Sequence, residues 1–213
     1  MMATTHALAG VLVGAVTLLY APELTPVAVA AGFAGGVFPD LDLYAGHRKT
    51  LHFPVYFAVL AVPTGLLAVL APSAVTVTAG AFLVAAALHS VMDAFGGGLE
   101  LKPWEGTSER AVYDHFRGVW VTPRRWVRYD GAPEDLLLAT ALATPSVTLF
   151  HGWVQTAVLG VLAVSAVYAL LRKPMVRVAE WLVGYVPDHF VGHVPDRFVA
   201  DIVESSAGTE TAD

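Results

Sequence analysis

Residues 53–92 read FPVYFAVLAVPTGLLAVLAPSAVTVTAGAFLVAAALHSVM, forty positions without an Asp, Glu, Lys or Arg. A helix needs about 20 apolar residues to cross the hydrocarbon of a bilayer, so the stretch holds two spans, 53–71 and 73–92. Pro72-Ser73 supplies the turn between them. The rest of the chain has the same character, with 56% of its 213 residues hydrophobic and 14% charged. A water-soluble domain carries roughly a quarter charged residues. An ordinary soluble enzyme and a disordered chain are both excluded. A net charge of −6 and an acidic tail speak against nucleic-acid binding. With no cysteine there is neither a disulfide framework nor a thiolate site, and any metal must be held by His, Asp or Glu.

Working outward from this hairpin, further apolar runs lie at 7–20, 26–38 and 146–171, and a shorter one at 136–144 leaves the count between four and six spans. The expected fold class is all-α, a polytopic membrane protein of short helical hairpins with a polar segment on its cytoplasmic face. Runs of some 14 residues rise only about 21 Å, so the first two helices must extend into their flanks or sit re-entrant. Gly10, Gly14, Gly32, Gly35 and Gly36 let such helices approach closely. Ala28-Val29-Ala30 looks like a signal cleavage site, but no Lys or Arg precedes the apolar run, and the segment is expected to be retained. The chain divides into two helical hairpins over 1–93, a polar cap over 94–135, a membrane helix or hairpin over 136–172, and an interfacial or disordered acidic tail over 173–213. Arg172-Lys173 is expected to stop the last span. The tail contains a near-repeat, Val186-Pro187-Asp188 and Val194-Pro195-Asp196.

Two hairpins impose a parity. If 7–38 and 53–92 each cross and return, residues 6, 39, 52 and 93 all lie on one side of the membrane. The turns at 21–25 and 72–73 carry no Lys or Arg, whereas the loops 39–52 and 93–135 carry Arg48, Lys49, Lys102, Arg110, Arg117, Arg124, Arg125 and Arg128. By the positive-inside rule that side is cytoplasmic, which predicts a multi-pass protein of the cell membrane. Tyr113, Trp120, Trp126 and Tyr129 in the cap suit the membrane–water interface.

The ionisable residues at the edges of apolar spans are functional candidates by default. His6 opens the first run, Asp40 and Asp42 follow Pro39 at the exit of the second, His47, Arg48 and His52 precede the third, and His89 and Asp93 close the fourth. His89 and Asp93 are four apart, on one helical face, and can chelate one ion. A buried His–Asp hydrogen bond accounts for that pair equally well. Parity brings all seven acids and histidines to one membrane face. His151, His189 and His193 stay apart from them, and His115 in the cap is the one outsider able to fold over the group.

Thr5-His6, Pro39-Asp40-Leu41-Asp42, His47-Arg48 with His52, and His89-x-x-x-Asp93, together with Gly98 and Pro103-Trp104, resemble the membrane-bound metal-dependent hydrolase family (DUF457, or YdjM-like proteins) over residues 1 to about 135. Leu51 stands where that family often has Thr. More remotely, the order His, Asp, His, His-x-x-x-Asp is similar to the zinc-dependent phospholipase C and P1-nuclease group. That likeness implies that Asp40, His52, His89 and Asp93 hold one zinc, with Asp93 bridging towards a second ion near His6. His47 completes the candidate ligands.

Donors of nitrogen and oxygen suit zinc or manganese, in one or two ions. A metal with an open position polarises a phosphoryl oxygen and brings bound water to a pKa of about 7. Asp42, or Asp40 if loosely held, is the expected general base, and Arg48 is placed to steady charge on a phosphoester. A site at the interface meets lipid headgroups, so a lipid-linked or amphipathic phosphoester is the expected substrate. The competing expectations are a membrane transporter or metal carrier, and a non-catalytic scaffold with a structural metal.

Overall fold

The computed structural model describes residues 1–183 and 185, and it is built almost wholly of helices. They are α1 Ala3–Ala15, α2 Thr25–Val37, α3 Pro54–Leu70, α4 Ala74–Asp93, α5 Pro133–Leu149 and α6 Trp153–Val183. A 3₁₀ turn over Val16–Leu19 lengthens α1, and others over Pro22–Leu24 and Phe38–Asp42 lengthen α2 at both ends. The short first pair thus gains length from its flanks. Three helical segments are long and apolar enough to cross a membrane, Pro22–Asp42, Ala74–Asp93 and Trp153–Leu182, and the apolar helices Ala3–Leu19 and Pro54–Leu70 are shorter.

Glycine decides how closely α1 and α2 meet. A Cβ on Gly10 would lie 2.0 Å from the Gly32 carbonyl oxygen. The two backbones are therefore in direct contact, which no larger residue permits. Val77 and Ala81 of α4 and Ala68 of α3 pack with Ala28 and Ala31 of α2 on one side. On the other, Ala139, Ala143 and Val158 of α5 and α6 pack with Leu8 and Val11 of α1. The outer faces are apolar and bare: Val62, Leu66 and Leu70 of α3, and Val164, Val167 and Leu170 of α6, are more than half exposed. A surface of this kind suits lipid rather than water.

Two expectations are corrected here. The run 146–171 is not one span, because α5 ends at Leu149 and the chain turns through His151 and Gly152, the latter at φ +67°. Residues 136–144 lie instead inside a 17-residue helix. Nor does the helix end at the expected 172/173 boundary, since α6 runs on through Pro174 to Val183. The near-repeat after Val186, His189 and His193 lie outside the described residues.

Buried polar contacts bring the starts of α1 and α5 together. Asp135 accepts from Met2 N at 2.8 Å, Thr5 Oγ1 at 2.7 Å and Gly131 N at 3.1 Å. α6 reaches the same end, where Ser165 Oγ donates to Thr4 Oγ1 at 2.8 Å and Arg172 Nε to Asp130 Oδ2 at 2.8 Å.

The cap departs from an all-helical expectation. Val112–Asp114 and Val119–Val121 form strands β1 and β2 of an antiparallel hairpin, turning through Gly118 at φ +70°. Its valines and aromatics have the strand preference that the cap's otherwise mixed composition hides. Backbone bonds from Arg124 N to Ala94 O (2.9 Å) and from Val127 N to Phe95 O (3.1 Å) return the cap to the end of α4.

Candidate metal centre

Three segments bring four side chains together at this end of the bundle. The last turn of α4 presents His89 and Asp93 on one face, the 3₁₀ turn after α2 presents Asp40, and the extended residues before Pro54 present His52. One donor atom from each lies within 4.8 Å of the others. His52 Nε2 is 3.2 Å from His89 Nε2 and 3.2 Å from Asp93 Oδ2. His89 Nε2 is 3.4 Å from Asp93 Oδ2 and 3.5 Å from Asp40 Oδ1, which is itself 3.8 Å from His52 Nε2. Asp40 is the loosest of the four. It is also the most open, its side chain 19% exposed where the other three are at most 1%.

The far nitrogens of the two imidazoles settle their tautomers. His89 Nδ1 is 2.6 Å from the Gly36 carbonyl oxygen, which can only accept, so Nδ1 carries the hydrogen. His52 Nδ1 is 3.0 Å from Asp42 Oδ2 and is protonated for the same reason. In the neutral rings both Nε2 atoms are left with lone pairs, facing each other at 3.2 Å. Two lone pairs so placed repel unless a proton or cation lies between them. Asp93 Oδ2, buried and 3.7 Å from Arg48 Nε, makes no hydrogen bond of its own. Such an arrangement, with a hydrogen-bond acceptor behind each imidazole, is how metal-binding histidines are held.

Comparison with protein-family models, curated proteins and solved structures finds no match. The reading of this centre rests on its geometry.

The other sequence candidates form an outer layer. Asp42 is buried and faces away from the four donors, accepting from His47 Nδ1 (3.0 Å), Arg48 N (3.3 Å), Leu51 N (3.0 Å) and His52 Nδ1. With four donors on its two oxygens, no lone pair remains to take a proton from water. His47 lies outside the four-donor cluster, on the opposite oxygen of Asp42 from His52. His6, whose place near the chain start suggests exposure, is instead buried. Its ring stacks on His89 at 3.7 Å, and its Nε2 is 3.2 Å from Asp93 Oδ1, the oxygen on the far side from His52. The Met1 amino nitrogen is 3.0 Å from that same oxygen.

Arg48 adopts φ +61°, turning its guanidinium inward, where Nη1 donates to the carbonyls of Gly97 (2.6 Å) and Ala111 (3.3 Å). It ties the cap to the centre. Tyr113 N donates to Arg48 O at 2.9 Å, and His115 Nε2 donates to Lys49 O at 2.6 Å, so His115 braces the loop and stays out of the four-donor cluster. His151 is exposed at the turn between α5 and α6, at residues far from the cluster in the chain. Sequence reasoning missed the carbonyls of Gly36, Gly97 and Ala111, since a backbone oxygen carries no signature in residue type.

Burial works against protonation of His52, but the hydrogen bond with Asp42 and the adjacent Asp93 carboxylate outweigh it and raise the imidazole above the usual histidine range.

Proposed function

We propose that the chain is a membrane-embedded hydrolase of phosphoesters that uses one or two divalent ions, zinc by preference, on the cytoplasmic face. The observation that carries this reading is the convergence of two imidazole lone pairs with two carboxylates. At about 2.0–2.2 Å from zinc to nitrogen or oxygen, the edges of a tetrahedron are about 3.3–3.6 Å. Five of the six donor separations run from 3.2 to 3.8 Å, close to that frame, and Asp40 and Asp93 lie within 4.8 Å of each other.

The ion would supply polarisation of a phosphoryl oxygen and acidification of water. The protein's part is to hold His52 and His89 in the right tautomer through Asp42 and Gly36, and to keep positive charge beside the reacting group through Arg48, whose Nε has no acceptor. Asp40, loosest and most open, is the residue suited to give up its place and take a proton; Asp42 then serves as a positioning residue. The cap contacts of α6 support a hairpin of α5 and α6, six crossings in all, with Arg172 and Lys173 on the same face as the centre. Because the donors lie at helix ends and not at mid-bundle, a transport path has less support.

A closed structural metal site is the second reading, favoured by the presence of four protein donors. Asp40→Asn separates the two. Purified protein should carry about one or two ions per chain by elemental analysis, lose them in His52→Ala, and hydrolyse nitrophenyl phosphoesters. In Asp40→Asn the hydrolase keeps its metal and loses its rate. A wild type with full metal and no hydrolysis would favour the structural site, and one with no transition metal would end both readings.

A further inference from the structure

The four donors come from the first half of the chain, yet two helices of the second half are fastened to the same end of the bundle. The fastening runs through three consecutive residues at the start of α1. Thr4 Oγ1 accepts from Ser165 Oγ of α6 at 2.8 Å, Thr5 Oγ1 donates to Asp135 Oδ1 of α5 at 2.7 Å, and His6 Nε2 lies 3.2 Å from Asp93 Oδ1 of α4. Successive side chains of a helix are turned by about 100°, so three in a row reach three different neighbours. Together they fix how far α1 is rotated and how deep it sits.

Asp135 is the centre of this fastening. It is 0% exposed, and among the described residues it is in no group that could hold an ion. A fully buried carboxylate is costly unless it is hydrogen-bonded. Besides Gly131 N of its own turn, both of its donors belong to the start of α1, Met2 N at 2.8 Å and Thr5 Oγ1. α1 has no side-chain cap of its own at Met2, and Asp135 supplies the acceptor while standing in the first turn of α5. One anion thus serves the positive ends of two helices. The next residue along α1 touches the centre twice. The His6 ring stacks on His89 with centroids 3.7 Å apart and planes at 22°, and its Nε2 engages Oδ1 of Asp93, leaving Oδ2 for His52 and His89 at 3.2 and 3.4 Å. A shift of α1 moves one imidazole and turns one carboxylate of the four-donor set.

We propose that Asp135 is a positioning residue for the metal centre: from the C-terminal hairpin it holds the start of α1 so that His6 fixes the place of His89 and the choice of Asp93 oxygen offered to the ion. This rests on the metal-binding part of the hydrolase reading, and its test reads metal and not hydrolysis. Protein that binds zinc and cleaves no phosphoester would refute the hydrolase and leave Asp135 to be judged on its own variants.

Zinc affinity of the full-length protein in nanodiscs is measured by chelator competition for wild type, Asp135→Ala, His6→Ala and the double variant, with visible spectra of the cobalt-loaded forms alongside. Asp135→Ala should lower affinity roughly tenfold, at the low end of what loss of a ligand's partner costs, and shift the cobalt bands. Where His6 is already alanine the same substitution should cost about threefold or less, because residues that act through one another are not additive. A larger loss in that background overturns the proposal, as does an Asp135→Ala protein with wild-type affinity and bands. Ala143→Gly, about two turns further along α5, controls for general loosening of the hairpin. It should lower the melting temperature and leave affinity and bands unchanged; a loss of affinity equal to that of Asp135→Ala also overturns the proposal. Should Asp135→Ala fail to fold, Thr5→Val, which deletes the hydroxyl bond with little change of shape, takes its place in the cycle. A loss that disappears without His6 then supports the proposal, and one that persists, or no loss at all, rejects it. Wild-type protein without affinity for zinc rejects the centre and its support together.

Discussion

Asp42→Asn tests whether the centre is organised from behind. In the native site the two oxygens accept four bonds, Oδ1 from His47 and the Arg48 amide, Oδ2 from the Leu51 amide and His52 Nδ1. An asparagine has one oxygen and an NH₂ that can only donate. If the NH₂ took the Oδ2 side it would oppose two donors and force His52 to move its hydrogen to Nε2, the atom turned to the metal. The less costly arrangement keeps oxygen towards Leu51 and His52 and points NH₂ at His47, which is 19% exposed and free to change tautomer. It then leaves the Arg48 amide without an acceptor, at about 1–3 kcal/mol. His52 keeps its orientation but loses a charged partner. Loss of such a partner lowers metal affinity about 10–100-fold, or about 1.4–2.8 kcal/mol. Competition for zinc against a chromophoric chelator at neutral pH measures this, with thermal unfolding of the metal-free protein as the second readout. An affinity within about twofold of wild type, alongside a lowered melting temperature, would refute the argument that Asp42 acts through His52.

Other outcomes follow from the same geometry. Because the His52 imidazole is raised above its ordinary value, with Asp40, Asp42, His89 and Asp93 around it, a proton competes with the metal beyond the usual histidine range. Apparent zinc affinity should climb as pH rises through neutrality and level off only above the raised value; a plateau already reached at about pH 6.5 would contradict this. By the same linkage, the stability that His52 lends the metal-free protein is complete below its unfolded value and is lost as pH rises through the folded one. Melting curves of the metal-free protein should therefore fall on the alkaline side while those of the loaded protein do not. Gly10→Ala must move α1 from α2 by about 1 Å or more to relieve its contact with the Gly32 oxygen, an overpacking that costs about 1–3 kcal/mol. Its melting temperature should drop, and an unchanged value would show that the helices do not meet as described.

The blank stretch 53–92 and the spacing of His89 and Asp93 were sufficient to bring the ionisable residues to one end, since hairpin parity needs only the breakers and the apolar runs. Finer assignments were out of reach for physical reasons. Asp40 and Asp42 are alike in type and two apart, and only the 3₁₀ conformation of their turn sends one to the donors and the other behind His52. His6 carries no local sign of burial; its place depends on Asp135, more than a hundred residues away, which gathers the start of α1. The break at Gly152 was hidden because the residues on either side are as apolar as the helices they end. The cap hairpin was hidden because short strands with one wet face have little periodicity to read.

Gly36 has no side chain to lose, yet its carbonyl sets the tautomer of His89 and a Cβ there would stand 2.4 Å from the His6 carbonyl oxygen. Any replacement pushes one histidine's helix aside and shifts the acceptor that orients another. In a survey of tolerated substitutions along the chain, position 36 should behave as a ligand does, and its variants should be repaired by added metal sooner than by lowered temperature. The centre thus has a member that contributes no chemistry of its own, only a place where nothing else fits.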